Sequence, residues 1–477
     1  MASPSSSPSP SPYDVVIIGS GQAGNPLARA FAQAGRRTAV VERVHVGGTC
    51  INEGCTPTKT MIASARVAHL ARRGAQYGVR DGSVQVDVAH VRKRKQSIVD
   101  NFRANSEQGL ASAGVELIRG EARFTGARTI EVRTVDQPRT LRAEVVVINT
   151  GLRPAIPEIP GLDVVPYLTS TSIMELVSAP EHLVVLGGGY VGLEFAQMFR
   201  RFGSRVTILQ RGDQLLPLED ADVAEEIATI LRDEGIDVVL RASATEVARV
   251  GTGIRVAYRV GGSGEEGEAN ATAGVSGSHL LVATGRTPNS EGMGLSAAGV
   301  VRDEHGYIRV DDQLRTTAEQ VYAVGDVKGG PAFTHVSYDD FRILRANLLR
   351  GGNASTNGRQ VPYTVFTDPQ LGRIGMTERQ ARDAGRRIRV ARLPMNSVAR
   401  ALETDETRGF MKAVVDADSE RILGAAVLGL EGGEIVALLQ VAMMGNLPYT
   451  VLRDGIFAHP TLAEAMNSLF MALDGDR

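Results

Sequence analysis

The sequence predicts an α/β protein made of two similar sheet-and-helix units, the second inserted into the first, and three observations carry that prediction. A buried-type strand, "YDVVIIGSGQAG", runs into Gly19, Gly21 and Gly24 in G-x-G-x-x-G spacing, with a helix-like stretch from Asn25 to Ala34 behind it. The pattern recurs in "LVVLGGGYVGLEFAQMFRRFGSRVTILQR", where Gly187, Gly189 and Gly192 each fall 168 residues after their counterparts without a gap. Two further segments match each other, "VVVINTGLRPAIP" around Thr150–Gly151 and "LLVATGRTPN" around Thr284–Gly285, and they mark where each unit closes.

Each element has a physical reason. After the first helix comes "RRTAVVER", a second strand ending at Glu42. Strand, glycine turn, helix, strand and acid in that order form a dinucleotide-binding, Rossmann-like fingerprint. The glycines permit a tight turn and close approach of a pyrophosphate, the helix N-terminus faces the phosphates, and Glu42 can bind ribose hydroxyls. In the repeat Gly35 matches Gly203, Arg37 matches Arg205, Arg43 matches Arg211, and Glu42 is replaced by Gln210. The Gly-rich run from Gly261 to His279 reads as a surface hairpin or loop inside the second unit.

Composition limits the remaining possibilities. The 477 residues, 43% of them hydrophobic, can bury several cores, and the length predicts two to four domains. A net charge of −2 offers no electrostatic footprint for nucleic acid or an anionic membrane. No apolar run approaches the ~18 residues that a membrane span needs. Residues 1–12, "MASPSSSPSPSP", have neither a basic start nor an apolar stretch, and read as a disordered tail rather than a signal peptide. A cytoplasmic protein is expected, where structural disulfides are rare. "RKRK", Arg92 to Lys95, reads as a solvated helix face.

The chain holds only two cysteines, Cys50 and Cys55, in "GGTCINEGCTPTKTMIASA". As zinc ligands they supply half of a four-ligand shell, and although His45 is close, no second Cys/His pair exists, so no metal site is expected. As inert core thiols they need none of the Gly, Asn, Thr and Lys around them. As a redox pair they sit where the chain enters a helix, with Pro57 suited to its first turn; helix amides and Lys59 then favour a thiolate. The redox reading is the better one, and two dinucleotide units beside one cysteine pair suggest an electron path from nicotinamide through a flavin to a disulfide.

With these motifs in place, the chain resembles the FAD-dependent class I pyridine nucleotide–disulfide oxidoreductases, which include glutathione reductase, dihydrolipoamide dehydrogenase and mercuric reductase. The resemblance runs from about Tyr13 to Ala472. "GGTCINEGCTPTK" matches the family's redox segment, "VYAVGDV" its second FAD motif, "PYTVFTDPQLGRIGMTE" the opening of its dimerisation domain, and "AHPTLAEAM" its closing motif. The resemblance implies that Cys50 attacks substrate and Cys55 lies against the flavin. Lys59 pairs with Glu194 near the flavin's reactive edge, and Tyr190 covers the flavin until nicotinamide displaces it. His459 moves the thiol proton, oriented by Glu464. The FAD site would use Gly19, Gly21, Gly24, Glu42, Gly48, Thr49, Thr150, Gly151 and Asp326, the last on the ribityl chain. The nicotinamide nucleotide would use Gly187, Gly189, Gly192, Gln210, Arg211 and Gly285. His335 is expected near the flavin, in a functional or a structural role.

The implied organisation is an FAD-binding domain from 13–152 and 286–358, an NAD(P)-binding domain from 153–285, and an α+β interface domain from 359–477 that builds a homodimer with active sites shared between subunits. The implied reaction is NAD(P)H-dependent reduction of a small disulfide. Dihydrolipoamide dehydrogenase, a mercuric or other metal-ion reductase, and a flavin-bearing redox sensor or complex subunit are the alternatives. The C-terminus "NSLFMALDGDR" lacks the second cysteine pair of mercuric reductases. Gln210 with Arg211 favours NADPH over NADH, although Pro217 stands where NADPH-specific relatives often carry a second arginine.

Overall fold

Tyr13–Ile18 is almost wholly buried, which is why it reads as an unbroken apolar run rather than an alternating one. In the computed structural model, which describes residues 12–80, 82–261 and 271–476, it is the middle of a parallel sheet. Thr38–Glu42 pairs on one side of it, with Glu116–Arg119 beyond, and Arg139–Ile148 pairs on the other. Val321–Ala323 returns from far along the chain to pair in parallel with Arg139–Ile148. Glu121–Gly126 and Thr129–Arg133 extend the sheet as an antiparallel meander. Helix Gly24–Gln33 buries Leu27, Ala28 and Phe31, one face at helical spacing. These elements belong to a first compact unit: the described residues up to Pro57, Lys95–Arg153 and Arg286–Arg359.

The second unit comprises Thr58–Arg94, Pro154–Gly285 and Gln360–Arg477. Its parallel sheet runs Ile236–Val239, Arg205–Leu209, His182–Leu186, His279–Val282. An antiparallel ribbon of Ala242–Val250, Gly253–Val260 and Ala271–Gly277 follows. The last two strands pair antiparallel; residues 262–270 of the run expected to be a surface hairpin or loop lie outside the described residues, as do residues 1–11 of the expected tail. A separate five-stranded antiparallel sheet, Tyr363–Val365, Gln370–Gly375, Ile422–Gly429, Phe410–Asp416 and Ile388–Pro394, packs on helices Gly432–Met444 and Ala465–Met471. The architecture is α/β with a C-terminal α+β part. No helix among the described residues is long and apolar enough to cross a membrane.

Candidate active site

At Gly19 the first strand turns with φ +97, and a Cβ there would lie 2.4 Å from the Asn149 carbonyl oxygen, so only glycine fits. Ser20 donates its N–H and its hydroxyl to Glu42 Oε2 at 3.0 and 2.6 Å, and Val44 N–H reaches Oε1 at 2.9 Å. Asn149 accepts the Gly24 N–H at 2.9 Å and donates to Val324 O at 3.0 Å. Gly19, Gly21, Glu42, Thr150, Arg153 and Met293 line a cleft of about 400 Å³ in the same unit. The Thr150 hydroxyl donates to Asn289 O at 2.7 Å, and Gly151 O accepts the Asn289 N–H. Asp326 lies in the turn Gly325–Lys328, and burial pushes its carboxyl above the ordinary aspartate range despite Arg286 and Lys328. A glycine turn that lets a pyrophosphate approach closely, a carboxylate for a diol and a partly apolar cleft would fit the adenosine half of FAD.

The second unit repeats the turn. Gly187 has φ +109, and a Cβ there would lie 2.4 Å from Ala283 O. Gln210 Oε1 accepts the Gly188 N–H at 2.9 Å, while Nε2 donates to Gln214 O at 3.1 Å. Gly189 precedes helix Tyr190–Phe202, in which Gly192 is buried. Arg211 is exposed, and Gly285 O accepts the Ala155 N–H.

Gly48 and Thr49 open the short helix Gly48–Asn52, which carries the half-buried Cys50. The exposed Cys55 is the first residue of helix Cys55–Arg72. Its Sγ lies 3.4 Å from Thr334 Oγ1, at the start of helix Thr334–Arg350 in the same unit. One turn into the cysteine helix, Lys59 Nζ meets Glu194 Oε2 at 2.7 Å, with side-chain exposures of 31% and 3%. The other Glu194 oxygen accepts the Phe366 N–H at 2.9 Å, and the ammonium sits 4.8 Å from the Phe366 ring centroid. Tyr190 starts its helix and is 37% exposed. His459 Nδ1 lies 2.9 Å from both oxygens of Glu464; the imidazole is 71% exposed and the carboxylate 22%. The pair therefore holds an imidazole with Nε2 turned away from its carboxylate. His335 stacks on Phe333 at 5.4 Å.

Residues 13–340 match the family model for pyridine nucleotide-disulphide oxidoreductases, and residues 361–470 match that family's dimerisation domain. The chain belongs to this family. It is 40% identical over 463 residues to the probable pyridine nucleotide-disulfide oxidoreductase RclA of Escherichia coli (strain K12), covering 96% of this chain and 98% of that protein. It is 36% identical over 465 residues to a mercuric reductase of Bacillus cereus, covering 97% of this chain and 72% of the reductase. A solved structure, the Cu(II) complex of the HOCl-induced flavoprotein disulfide reductase RclA from Escherichia coli, superposes with a TM-score of 0.87 at 39% identity, covering 97% and 99% of the two chains. The chain is an oxidoreductase of the FAD-dependent, NAD(P)H-linked disulfide class and carries the family's dimerisation domain.

Several residues in these arrangements had no warning in the sequence. Thr334 and Asn149 are ordinary polar residues whose partners lie far along the chain, although Asn149 directly precedes the flagged Thr150–Gly151. Asp340, fully buried, accepts the Gly325 N–H at 2.8 Å and ion-pairs with Lys328 and Arg359, anchoring the Asp326 turn. "RKRK" is not a uniform solvated face: Lys95 is 2% exposed, Arg92 pairs with Glu175, and Arg94 donates to Thr60 O. Helix Val88–Ser112 therefore spends part of this basic run on packing and on satisfying backbone carbonyls.

Proposed function

We propose that this protein reduces a low-molecular-weight disulfide with NAD(P)H through Cys50 and Cys55. The observation that carries the reading is Cys55 at the first residue of an 18-residue helix, its sulfur beside the Thr334 hydroxyl, in the unit that bears the Glu42 glycine turn. Helix amides favour a thiolate there, and Thr334 can donate to it. FAD, when bound, supplies the two-electron relay between nicotinamide and the cysteine pair. Gly19, Gly21, Gly24, Glu42, Gly48, Thr49, Thr150, Gly151 and Asp326 would hold it. Gly187, Gly189, Gly192, Gln210, Arg211 and Gly285 would hold the nicotinamide nucleotide, with Tyr190 over its entry. We assign 13–152 and 286–358 to FAD binding, 153–285 to NAD(P) binding and 359–477 to the subunit interface.

The Cys50 thiolate attacks one substrate sulfur, forming a mixed disulfide and expelling a thiolate that takes a proton from His459. Cys55 then attacks the Cys50 sulfur of the mixed disulfide, closing the protein disulfide and expelling the second substrate sulfur as a thiolate that takes its proton from solvent. The net change is NAD(P)H, a proton and one disulfide giving NAD(P)⁺ and two thiols. Glu464 orients the imidazole, which belongs to the partner subunit in this reading. NADPH is the favoured donor, because Gln210 offers no carboxylate to repel a 2′-phosphate and Arg211 is exposed beside it. A cytoplasmic setting suits a thiol pair that is re-reduced in every cycle.

The test is optical. Two-electron reduction of the yellow protein should give a long-wavelength thiolate–flavin absorbance. Cys55→Ser should abolish it, and Cys50→Ser should show it without reductant. A colourless protein, or a band indifferent to Cys55, refutes the assignment. A heterodimer of Cys50→Ser with His459→Ala chains should keep about half of wild-type turnover, since one of its sites is intact, whereas the His459→Ala homodimer loses ~10²–10⁴-fold and the Cys50→Ser homodimer is inactive. No activity in the folded, flavin-loaded heterodimer would refute shared sites.

A second reading takes a cupric ion as the acceptor, two ions per NAD(P)H. It is favoured by the solved Cu(II) complex of a 39% identical relative. Turnover with a panel of small disulfides, lipoamide and Cu(II) separates the two.

A further inference from the structure

Three polar residues on one face of helix Tyr190–Phe202 grip a short segment that the proposed chemistry leaves unused. Glu194, Gln197 and Arg201 stand at helical spacing, 3% to 5% exposed. Glu194 accepts the Phe366 N–H. Gln197 reads both backbone groups of Asp368, accepting its N–H and donating to its carbonyl, each at 2.8 Å. Arg201 and Arg66 take the two oxygens of the Asp368 carboxylate at 2.6 and 2.9 Å. Burial alone would raise that carboxyl, but Arg201 and Arg66 outweigh it and hold it below the ordinary range.

The division of labour matters. Arg66 holds Asp368 only by its side chain, which rotates about its own bonds, and Arg201 adds to its carboxylate contact a longer one of 3.3 Å from Nη2 to the Asp368 carbonyl. Gln197 holds the peptide planes on either side of Asp368, two residues after the amide that Glu194 needs. A side-chain amide is the group that both donates and accepts, so neither Glu nor Met can replace it here. Glu194 has one oxygen on Phe366 and the other on Lys59, so freeing the Phe366 amide lets the buried carboxylate turn and carry the ammonium with it.

We propose that Gln197 is a positioning residue that keeps the Phe366 amide on Glu194 and thereby fixes the Lys59 ammonium. This rests on the assignment of Lys59 to the flavin's reactive edge. Displacing a positioned group by about 1 Å costs up to ~10²-fold in rate, so a partial loosening should cost about tenfold.

The test uses FAD-loaded wild type, Gln197→Met, Lys59→Met and the double variant. The readouts are the flavin's visible absorbance and the limiting rate of flavin reduction at saturating nucleotide. Gln197→Met should shift the flavin bands in the same direction as Lys59→Met and slow reduction about tenfold, with nucleotide affinity unchanged. Added to Lys59→Met, it should do nothing further. Arg66→Gln is the control for general loosening: it weakens the Asp368 carboxylate contact, leaves both Gln197 contacts, and should lower Tm without moving the bands. Native bands and rate in folded Gln197→Met would overturn the proposal, as would additive effects in the double variant or an equal band shift in Arg66→Gln. A flavin unmoved by Lys59→Met would instead overturn the Lys59 assignment, and this proposal with it.

Discussion

At Gly19 and Gly187 the chain makes one turn twice. Gly19 N–H donates to Val41 O at 2.8 Å and Gly187 N–H to Leu209 O at 2.9 Å. Residues 42 and 210 each accept the amide that follows the first glycine. Behind the glycines the turns diverge. Asn149 sends its side chain to Gly24 and Val324, whereas the matching Ala283 has no polar side chain to send. Glu42 accepts three hydrogen bonds through a charged group, while Gln210 accepts one and donates one. The first turn is thus pinned by side chains on several sides and the second by one amide. A pinned, preorganised turn suits a nucleotide that stays, because little ordering remains to be done on binding. A lightly held turn suits one that exchanges at each turnover.

The sharpest way to break this comparison is to make the same lesion in both turns. Gly19→Ala and Gly187→Ala each drive a methyl onto a carbonyl oxygen at a left-handed position, a strain of roughly 1–3 kcal/mol before the clash is counted. Gly19→Ala should purify colourless. Gly187→Ala should stay yellow, with KM for the nicotinamide nucleotide raised about 100-fold. Absorbance and steady-state kinetics read both, and interchanged phenotypes would reverse the assignment of the two turns.

A smaller effect comes from interchanging the residues that differ. Gln210→Glu keeps an oxygen for the Gly188 amide, loses the donor to Gln214, and in the proposed reading sets a carboxylate against the 2′-phosphate. It should move kcat/KM toward NADH by about 1–3 kcal/mol. Glu42→Gln should weaken FAD retention by about 1.5–3 kcal/mol, the scale of hydrogen bonds to a charged group. Wild type that already favours NADH tenfold would show that Arg211 does not select the phosphate.

Acid should separate the two units most gently. His69, in the second unit, has Nε2 buried with no hydrogen-bond partner among the described residues. Burial first, and Arg201 second, lower its pKa from 6.5 to about 4, against Glu234 and Asp368. The unfolded chain takes up the proton before the folded one. The contribution of His69 is therefore complete above pH 6.5 and is lost as pH falls toward 4; with partial exposure discounted it is roughly 2 kcal/mol. Asp326, in the first unit, works the other way: its raised pKa means that protonation on acidification relieves a burial cost. Between pH 6.5 and 4 the second unit should lose hydrogen-exchange protection before the first, and His69→Phe should flatten the loss. An unchanged profile in His69→Phe would exclude His69 as the cause.

The sequence exposed the turns because their constraints are local. A glycine forced by a backbone approach recurs at fixed spacing, and strand burial shows as an apolar run. The Lys59–Glu194 and His459–Glu464 contacts were reached through resemblance, since no spacing rule brings Lys59 to a residue on another helix. Gln197, Arg201 and Asp368 have no signal in the sequence, because polar residues at helical spacing read as an ordinary solvated face and Asp368 lies in a loop far along the chain. Lys95 misled for the same reason, as composition cannot say which member of a basic run packs its stem.

The exposed His459–Glu464 pair also bears on inheritance. If each site takes its cysteines from one chain and its imidazole from the other, a defect in either element alone behaves as recessive, because a mixed dimer retains one sound site. A single allele carrying both Cys50→Ser and His459→Ala behaves differently. Paired with a sound chain, it spoils one site by its missing thiol and the other by its missing imidazole, so it acts as a dominant poison while the assembly around it stays intact.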